Sequence, residues 1–218
     1  MTPLKVLYFI EGLDCSGKKT TARRVESWFK EQGCSVRICI GPLFAPLQRL
    51  DEFLVSLTYR RTPKPLLKLR KKLYLHAPIL DAALWRPDRD ADIVLKVSSS
   101  YRTWARAVVE GDTEMSGFFE KHRRSLVRYS GAVVLETAFD ERIRRHREMF
   151  ASGLTQKTEG KRFFGRDEAL FAKWNGVMTD LMRRDIQNVL VIDTTGTHGN
   201  LISRQIIEEI GKLLCTAL

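Results

Sequence analysis

The sequence has no hydrophobic run long enough to span a membrane, because none approaches the ~20 apolar residues that a transmembrane helix needs. The apolar run near the N-terminus has no small-residue cleavage site after it, so we expect no signal peptide. Cysteine is scarce, with four in 218 residues, and no two cysteines form a CxxC pair. This spacing argues against the common zinc sites and against a disulfide framework. We therefore expect a cytoplasmic protein with reduced thiols and no membrane partner.

Acidic residues are absent from residues 53–80, while the whole chain carries a formal net charge of +11. The segment holds seven basic residues: Arg60, Arg61, Lys64, Lys68, Arg70, Lys71 and Lys72. Such a segment is typical of a solvated helix face, and also of a surface that binds nucleic acid, a membrane or a phosphorylated small molecule. The chain carries no nucleic-acid fold signature, so nucleic acid is the less favoured partner. Charge alone does not decide between these functions.

Short, β-branched apolar runs predict five buried strands, at residues 5–10, 35–40, 92–97, 132–137 and 188–193. Amphipathic helical patterns lie between these runs. Strands that alternate with helices predict an α/β fold, in which a five-stranded parallel sheet is covered by helices on both faces. No repeat or linker divides the chain, so we expect one domain over residues 1–218. We expect less regular structure at residues 41–91, which contain prolines, and at residues 150–166, which are rich in Gly and Lys.

The segment between the first strand and the first helix reads GLDCSGKKTT, residues 12–21. A glycine-rich loop in this position directs backbone N–H groups inward and forms an anion nest at a helix N-terminus. Gly12 and Gly17 allow the tight backbone path, and Lys18 would reach the β- and γ-phosphates of a nucleotide. The pattern therefore predicts a phosphate-binding loop for ATP.

Residues 9–21 resemble the opening of thymidylate kinases and related nucleoside and nucleotide kinases, in which the first strand runs into E-G-x-D-x-x-G-K-[ST]-T. Residues 41–46, 133–148 and 189–210 are similar to later segments of the same family. The resemblance implies the three-layer fold of P-loop NTPases and allows a homodimer. It also implies that Asp14 contacts the sugar of the phosphate acceptor. The ATP-binding residues that it implies are Gly12, Asp14, Cys15, Ser16, Gly17, Lys18, Lys19, Thr20 and Thr21.

Two positions depart from the family pattern. Lys19 stands where the family has Ser or Thr, whose hydroxyl oxygen binds Mg²⁺, so Thr20 is the nearest substitute as a metal ligand, with water and one acid completing the shell. The third strand lacks the Asp-Arg pair that the family has at its end; Val97 and the serines at 98–100 occupy this region, and Arg102 follows. The acceptor and the general base therefore stay open. The acids nearest the strand ends are Glu11, Asp14 and Glu136.

Phosphoryl transfer depends mostly on positioning and on cationic stabilisation of the transferred group. By resemblance, residues 150–166 hold the position of a lid, and we expect Arg142 and Arg162 to act with Lys18 on the phosphates. A solvated basic helix face is the alternative for the two arginines. The substrate contacts that we expect, on a side formed partly by residues 41–91, are Asp14, Arg102, Tyr101 and His76. Core packing is the alternative for Tyr101 and His76.

These features predict an ATP-dependent phosphotransferase that uses Mg²⁺ and acts on a nucleoside, a nucleoside monophosphate or a similar small acceptor. One alternative is a degenerate P-loop kinase that binds nucleotide without phosphoryl transfer, as a sensor or partner subunit. Lys19 and the missing Asp-Arg pair motivate this alternative. A nucleic-acid-end kinase, motivated by the net charge, is the third hypothesis.

Overall fold

A computed structural model of the chain describes residues 6–58, 64–87, 90–98, 100–155 and 168–215. Arg162, which we expected at the phosphates, lies outside the described residues, as do residues 156–166 of the expected lid. Arg60 and Arg61 of the basic segment also lie outside them.

A five-stranded parallel sheet forms the centre of the described structure, with strand order β2-β3-β1-β4-β5. The five strands are β1 (Val6–Gly12), β2 (Val36–Ile40), β3 (Ile93–Val97), β4 (Gly131–Glu136) and β5 (Val189–Asp193). All five predicted strands are present, and each begins within one residue of its prediction. The sequence prediction of a parallel α/β sheet is confirmed.

Eight α-helices surround the sheet in the part of the chain that the structure describes. They are α1 (Lys18–Glu31), α2 (Ala45–Thr58), α3 (Lys64–Leu84), α4 (Ser100–Glu110), α5 (Thr113–His122), α6 (Phe139–Ala151), α7 (Glu168–Asp185) and α8 (Gly199–Cys215). A short 3₁₀ turn at Arg123–Ser125 follows α5. Among the described residues, no helix has both the length and the apolar character that crossing a membrane requires.

Residues 41–91 are more regular than we expected, because two long helices, α2 and α3, occupy most of this range. Pro46 and Pro65 are each the second residue of a helix. The N–H groups of a first helical turn have no intrahelical acceptor, so proline is tolerated there. Pro78 lies inside α3. Pro46 and Pro65 therefore mark helix starts, where we had interpreted the prolines as signs of less regular structure.

Strand alternation divides the side chains of the sheet between two helical layers. Helices α1 and α8 cover one face, where Val97 of β3 packs in the same cluster as Ile206. Helices α4, α5 and α7 cover the other face, where Phe9 of β1 is buried. Val94 of β3 points away from the α1–α8 layer, and alternation places Lys96 on the same side as Val94. A lysine thus lies on a strand face that is otherwise apolar.

The order of the strands reverses at β1, which lies between β3 and β4. In open parallel sheets, ligands bind beyond the carboxyl ends of the strands at such a switch point. Gly12, the last residue of β1, opens directly into this crevice.

Candidate active site

The loop that follows β1 depends on two glycines with left-handed backbone conformations. Gly12 has φ +148° and Gly17 has φ +91°. A Cβ at Gly12 would lie 2.6 Å from the carbonyl oxygen of Leu135 on β4 and 2.6 Å from Oγ of Ser16, so no larger residue fits without a shift of the backbone. The loop is therefore packed tightly against the neighbouring strand.

The N-terminus of α1 is arranged to receive an anion. The first turn contains Lys18 and Lys19 and no acidic residue, and Gly17 at the N-cap offers no side chain to the free N–H groups. The N–H of Thr21 is the first to find an acceptor in this helix, at 3.0 Å from the carbonyl oxygen of Gly17. Two cations at the positive end of a helix dipole are unfavourable unless an anion lies between them. Backbone and side chains thus both favour a bound phosphate here.

Lys18 folds back over its own loop. Its Nζ donates hydrogen bonds to the carbonyl oxygens of Gly12 and Leu13, the latter at 2.9 Å. Burial, with a smaller contribution from Arg102, lowers the pKa of the Lys18 ammonium to about 8, although the nearby Glu11 opposes the shift. A bound phosphate would favour the charged form, because an anion in contact stabilises the ammonium.

Three arginines from two helices hold the outer side of the loop. Arg142 of α6 donates through Nε to the backbone oxygen of Asp14 at 2.8 Å, and its guanidinium lies 4.3 Å from the ring centre of Phe171. Burial lowers the pKa of Arg142 to about 10. Arg102 of α4 forms an ion pair of 3.0 Å with the side chain of Asp14. The third arginine is Arg145, which also belongs to α6.

Arg145 of α6 connects the loop to the end of β5. Its Nη1 lies 3.5 Å from the carbonyl oxygen of Cys15, and its Nη2 donates to the carbonyl oxygen of Thr194 at 2.7 Å. Glu141 accepts a hydrogen bond from its Nε at 2.8 Å. The guanidinium is therefore fixed in orientation beside the loop.

A cavity of about 230 Å³ opens on the other side of Asp14, between the end of β3 and helices α2, α3 and α4. Arg102 lines it, and so does Ser98, whose φ of +66° is rare for a residue with a side chain. Buried Asp51 and Asp81 also line the cavity. The carboxylate oxygens of Asp81 accept the N–H groups of Leu43 and Phe44, at 2.8 Å and 2.9 Å. The end of β3 has no carboxylate. The carboxylates at the cavity belong instead to Asp51 of α2 and Asp81 of α3.

Tyr101 and His76 occupy different places relative to this cavity. Tyr101 lines the cavity, but its ring is buried beside Trp104 and its hydroxyl lies 3.4 Å from a carboxylate oxygen of Asp185. His76 is exposed on α3 and does not line the cavity; its Nδ1 lies 2.9 Å from the carbonyl oxygen of Lys72. Asp14, Arg102 and Tyr101 are therefore brought together, and His76 is not.

Solved structures resemble this arrangement over nearly the whole chain. Thymidylate kinase from Candida albicans matches with a TM-score of 0.59 at 14% identity, over 97% of this chain and 94% of that one. Thymidylate kinase from Ehrlichia chaffeensis matches with a TM-score of 0.61 at 13% identity, over 96% and 99%. The chain has a thymidylate kinase-like fold. By sequence it matches no protein-family model and no curated protein.

The metal ligands available to this thymidylate kinase-like fold are few. Among the described residues, no group of three His, Cys, Asp or Glu side chains could hold a metal ion. Thr20 lies exposed in the first turn of α1, one residue beyond the position that Lys19 occupies. Mg²⁺ often keeps several waters and binds through phosphate oxygens with one or two protein ligands. The residues therefore fit a Mg²⁺ that arrives with a nucleotide, and Thr20 is the first residue after Lys18 in the sequence with a hydroxyl group.

Three residues near the site escaped our sequence-based site prediction: Asp51, Lys96 and Arg145. Arg145 lies one helical turn after Arg142, so the i, i+3 spacing on α6 was a usable signal. Lys96 interrupts the apolar run of β3, which is a local signal for an unusual environment. Asp51 belongs to an ordinary amphipathic pattern, and only the tertiary fold of α2 brings it to the cavity.

Proposed function

We propose that this protein is an ATP-dependent phosphotransferase acting on a nucleoside, a nucleoside monophosphate or a similar small acceptor. The observation that carries the proposal is the uncapped N-terminus of α1, with Lys18 and Lys19 in a first turn that has no acid. The cavity beside Asp14 and Arg102 adds a place for a second substrate next to that anion site. The thymidylate kinase-like fold supports the same reaction class.

In the proposed reaction, an acceptor oxygen attacks the γ-phosphorus, the bond from that phosphorus to the β–γ bridging oxygen breaks, and ADP leaves. Lys18 and the N–H groups of α1 hold the β- and γ-phosphates, and Arg142, with Arg162 from the lid segment, balances the charge that develops. Mg²⁺ bound with ATP would neutralise phosphate charge. If the acceptor is a hydroxyl, its proton passes to a carboxylate in the cavity. Asp51 is our candidate, because its carboxyl group is buried and lines the cavity.

The second candidate function is nucleotide binding without transfer, as a sensor or partner subunit. Lys19 removes the usual hydroxyl ligand of Mg²⁺, and β3 ends in Val97 and Ser98 with no carboxylate. Both functions fit a reducing compartment, because all four cysteines are free thiols, and we propose the cytoplasm as that compartment.

ADP release from Mg-ATP tests the proposal, measured against a panel of nucleosides, nucleoside monophosphates and small hydroxylated molecules. Lys18→Ala serves as the blank. We expect release that depends on one acceptor class and disappears in the blank. Nucleotide binding without release for any acceptor would instead favour the sensor or partner subunit.

A further inference from the structure

Lys96 is a buried cation on the wall of the acceptor cavity. It is 5% exposed, stands in β3 opposite Phe9 of β1, and lines the cavity. Among the residues that the structure describes, none forms a hydrogen bond or an ion pair with its Nζ. The ionisable groups that act on its pKa are Cys39, Asp81, Arg37 and Glu11.

The neighbours of Lys96 are already engaged. Both oxygens of Asp81 accept backbone N–H groups of residues 43 and 44, and Sγ of Cys39 lies 3.1 Å from the carbonyl oxygen of Pro42. Burial lowers the pKa of Lys96, and the acidic neighbours offset the shift only in part. A buried ammonium that lacks a direct partner is costly, and an anion in contact with it would remove most of that cost.

Two cationic side chains, Arg102 and Lys96, line the cavity. Arg102 lies next to the phosphate-binding loop, since it pairs with Asp14 and acts on the charge of Lys18. Lys96 is the last residue but one of β3 and pairs in register with Cys39 of β2, the strand on the side of β3 that faces away from β1 and its loop. The walls include apolar Leu73 and Leu126.

We propose that Lys96 binds an acidic group of the acceptor, at the end remote from the atom that receives the phosphoryl group. The inference rests on the proposed function and narrows its substrate class. The acceptor has a mostly apolar or aromatic body, a phosphoryl-accepting group beside Arg102, and an anionic group, such as a carboxylate, on Lys96. Neutral acceptors are disfavoured because they leave the Lys96 ammonium without a partner.

Kinetics with acceptor pairs that differ only in one acidic group test this assignment, for example uridine 5′-monophosphate against its 6-carboxylate, orotidine 5′-monophosphate. The variants are Lys96→Met, Lys96→Arg and, as a matched control, Lys173→Met at an exposed lysine of α7. We expect Lys96→Met to raise KM for the preferred acidic acceptor by about 10- to 100-fold, the range for one charge-assisted hydrogen bond. The kcat should change by less than about threefold, because Lys96 does not touch the reacting atoms. Lys96→Arg should restore part of the affinity, and the control should match the wild type.

An unchanged KM in Lys96→Met, or a wild type that uses only neutral acceptors, would overturn the assignment. If the wild type transfers phosphate to no acceptor, the proposed function fails, and a binding experiment decides on Lys96 alone. Inorganic phosphate is titrated into Lys18→Ala protein, in which the loop site is weakened, with and without Lys96→Met. Calorimetric binding that Lys96→Met abolishes supports the anion site, and equal or absent binding in both proteins refutes it.

Thermal unfolding separates this role from a purely structural one. Replacing an isolated buried charge with an apolar side chain of similar volume should leave the melting temperature equal or higher. A clear fall in melting temperature for Lys96→Met would show that Lys96 stabilises the fold through Cys39 or Asp81, and would count against a ligand role.

Discussion

The two sides of the crevice at the end of β1 are built in different ways. On the side where we propose that the nucleotide binds, called the nucleotide side below, one contiguous stretch, residues 12–21, supplies the glycines, the N–H groups and Lys18. On the side where we propose that the acceptor binds, called the acceptor side below, Asp51, Lys96 and Arg102 come from three separate elements, and none lies in the motif that resembles the family. We expect a site made largely of backbone groups to tolerate a side-chain change such as Lys19. A site made of side chains can change through single substitutions while the fold stays the same.

Among the substitutions that distinguish the nucleotide side from the acceptor side, Lys18→Ala is expected to have the largest effect on ATP affinity or turnover. The loop loses its point charge at the phosphates, so ATP affinity or turnover should fall by about 100-fold or more. Calorimetry and ADP release measure the two quantities. Lys30→Ala is the matched control, because Lys30 lies on the same helix, is exposed and pairs with Glu26 at 2.9 Å. Unchanged ATP binding and turnover in Lys18→Ala would contradict the role that we propose for the loop.

The opposite pattern is expected from Asp51→Asn on the acceptor side. If Asp51 accepts the proton of the acceptor, kcat should fall by about 10- to 100-fold while ATP affinity stays within about twofold. Glu52→Gln, at the next and exposed position of α2, is the control. Equal kcat values for the two variants would exclude Asp51 as the proton acceptor. A joint loss of ATP binding would show that the two sides are not independent.

A smaller effect is expected when the affinity for ATP is measured as a function of pH. This effect depends on Lys18, which belongs to the nucleotide side. Because the pKa of Lys18 in the free protein is about 8, its protonated fraction falls about tenfold between pH 7 and pH 9. Bound phosphate raises that pKa, so nucleotide binding takes up a proton and the Kd for ATP should rise by up to about tenfold over this range. Calorimetry in buffers of different ionisation enthalpy measures the proton uptake. A pH profile that is the same in Lys18→Ala would assign the effect to another group.

The smallest effect is expected from Lys19→Thr, which restores the hydroxyl at the usual position of the loop. Activity should stay within about threefold of the wild type or rise, because Lys19 is exposed and Thr offers Mg²⁺ an oxygen ligand. The measurement is kcat/KM over a range of Mg²⁺ concentrations. Complete loss of function would mean that Lys19 itself acts on a substrate.

The parts of the fold that the sequence predicted are those with local causes. Each strand is a short apolar run between turn residues. The loop is one contiguous motif, and Gly12 and Gly17 are required there because each has a positive φ. The helices of residues 41–91 were missed, since proline at a helix start and proline in a loop look alike without the hydrogen-bond pattern.

The places of Asp51 and His76 could not be predicted for a different physical reason. Whether Asp51 faces the cavity depends on how α2 packs beyond the edge of the sheet, which no local pattern fixes. His76 and Tyr101 are both polar aromatic residues, yet one is exposed on α3 and the other is buried beside Trp104. Exposure is a property of the assembled fold, so residue type alone could not separate them.

The close contact of Gly12 with the carbonyl oxygen of Leu135 restricts how a protein like this one can evolve. Any side chain at position 12 would displace β4, and with it the residues that β4 and β5 carry to the crevice. The nucleotide loop thus tolerates very little variation at this point, while the helices on the other side can exchange single residues without disturbing the sheet. Under the proposed function, substitutions at positions such as 51 and 96 would change the acceptor and leave the nucleotide site as it is.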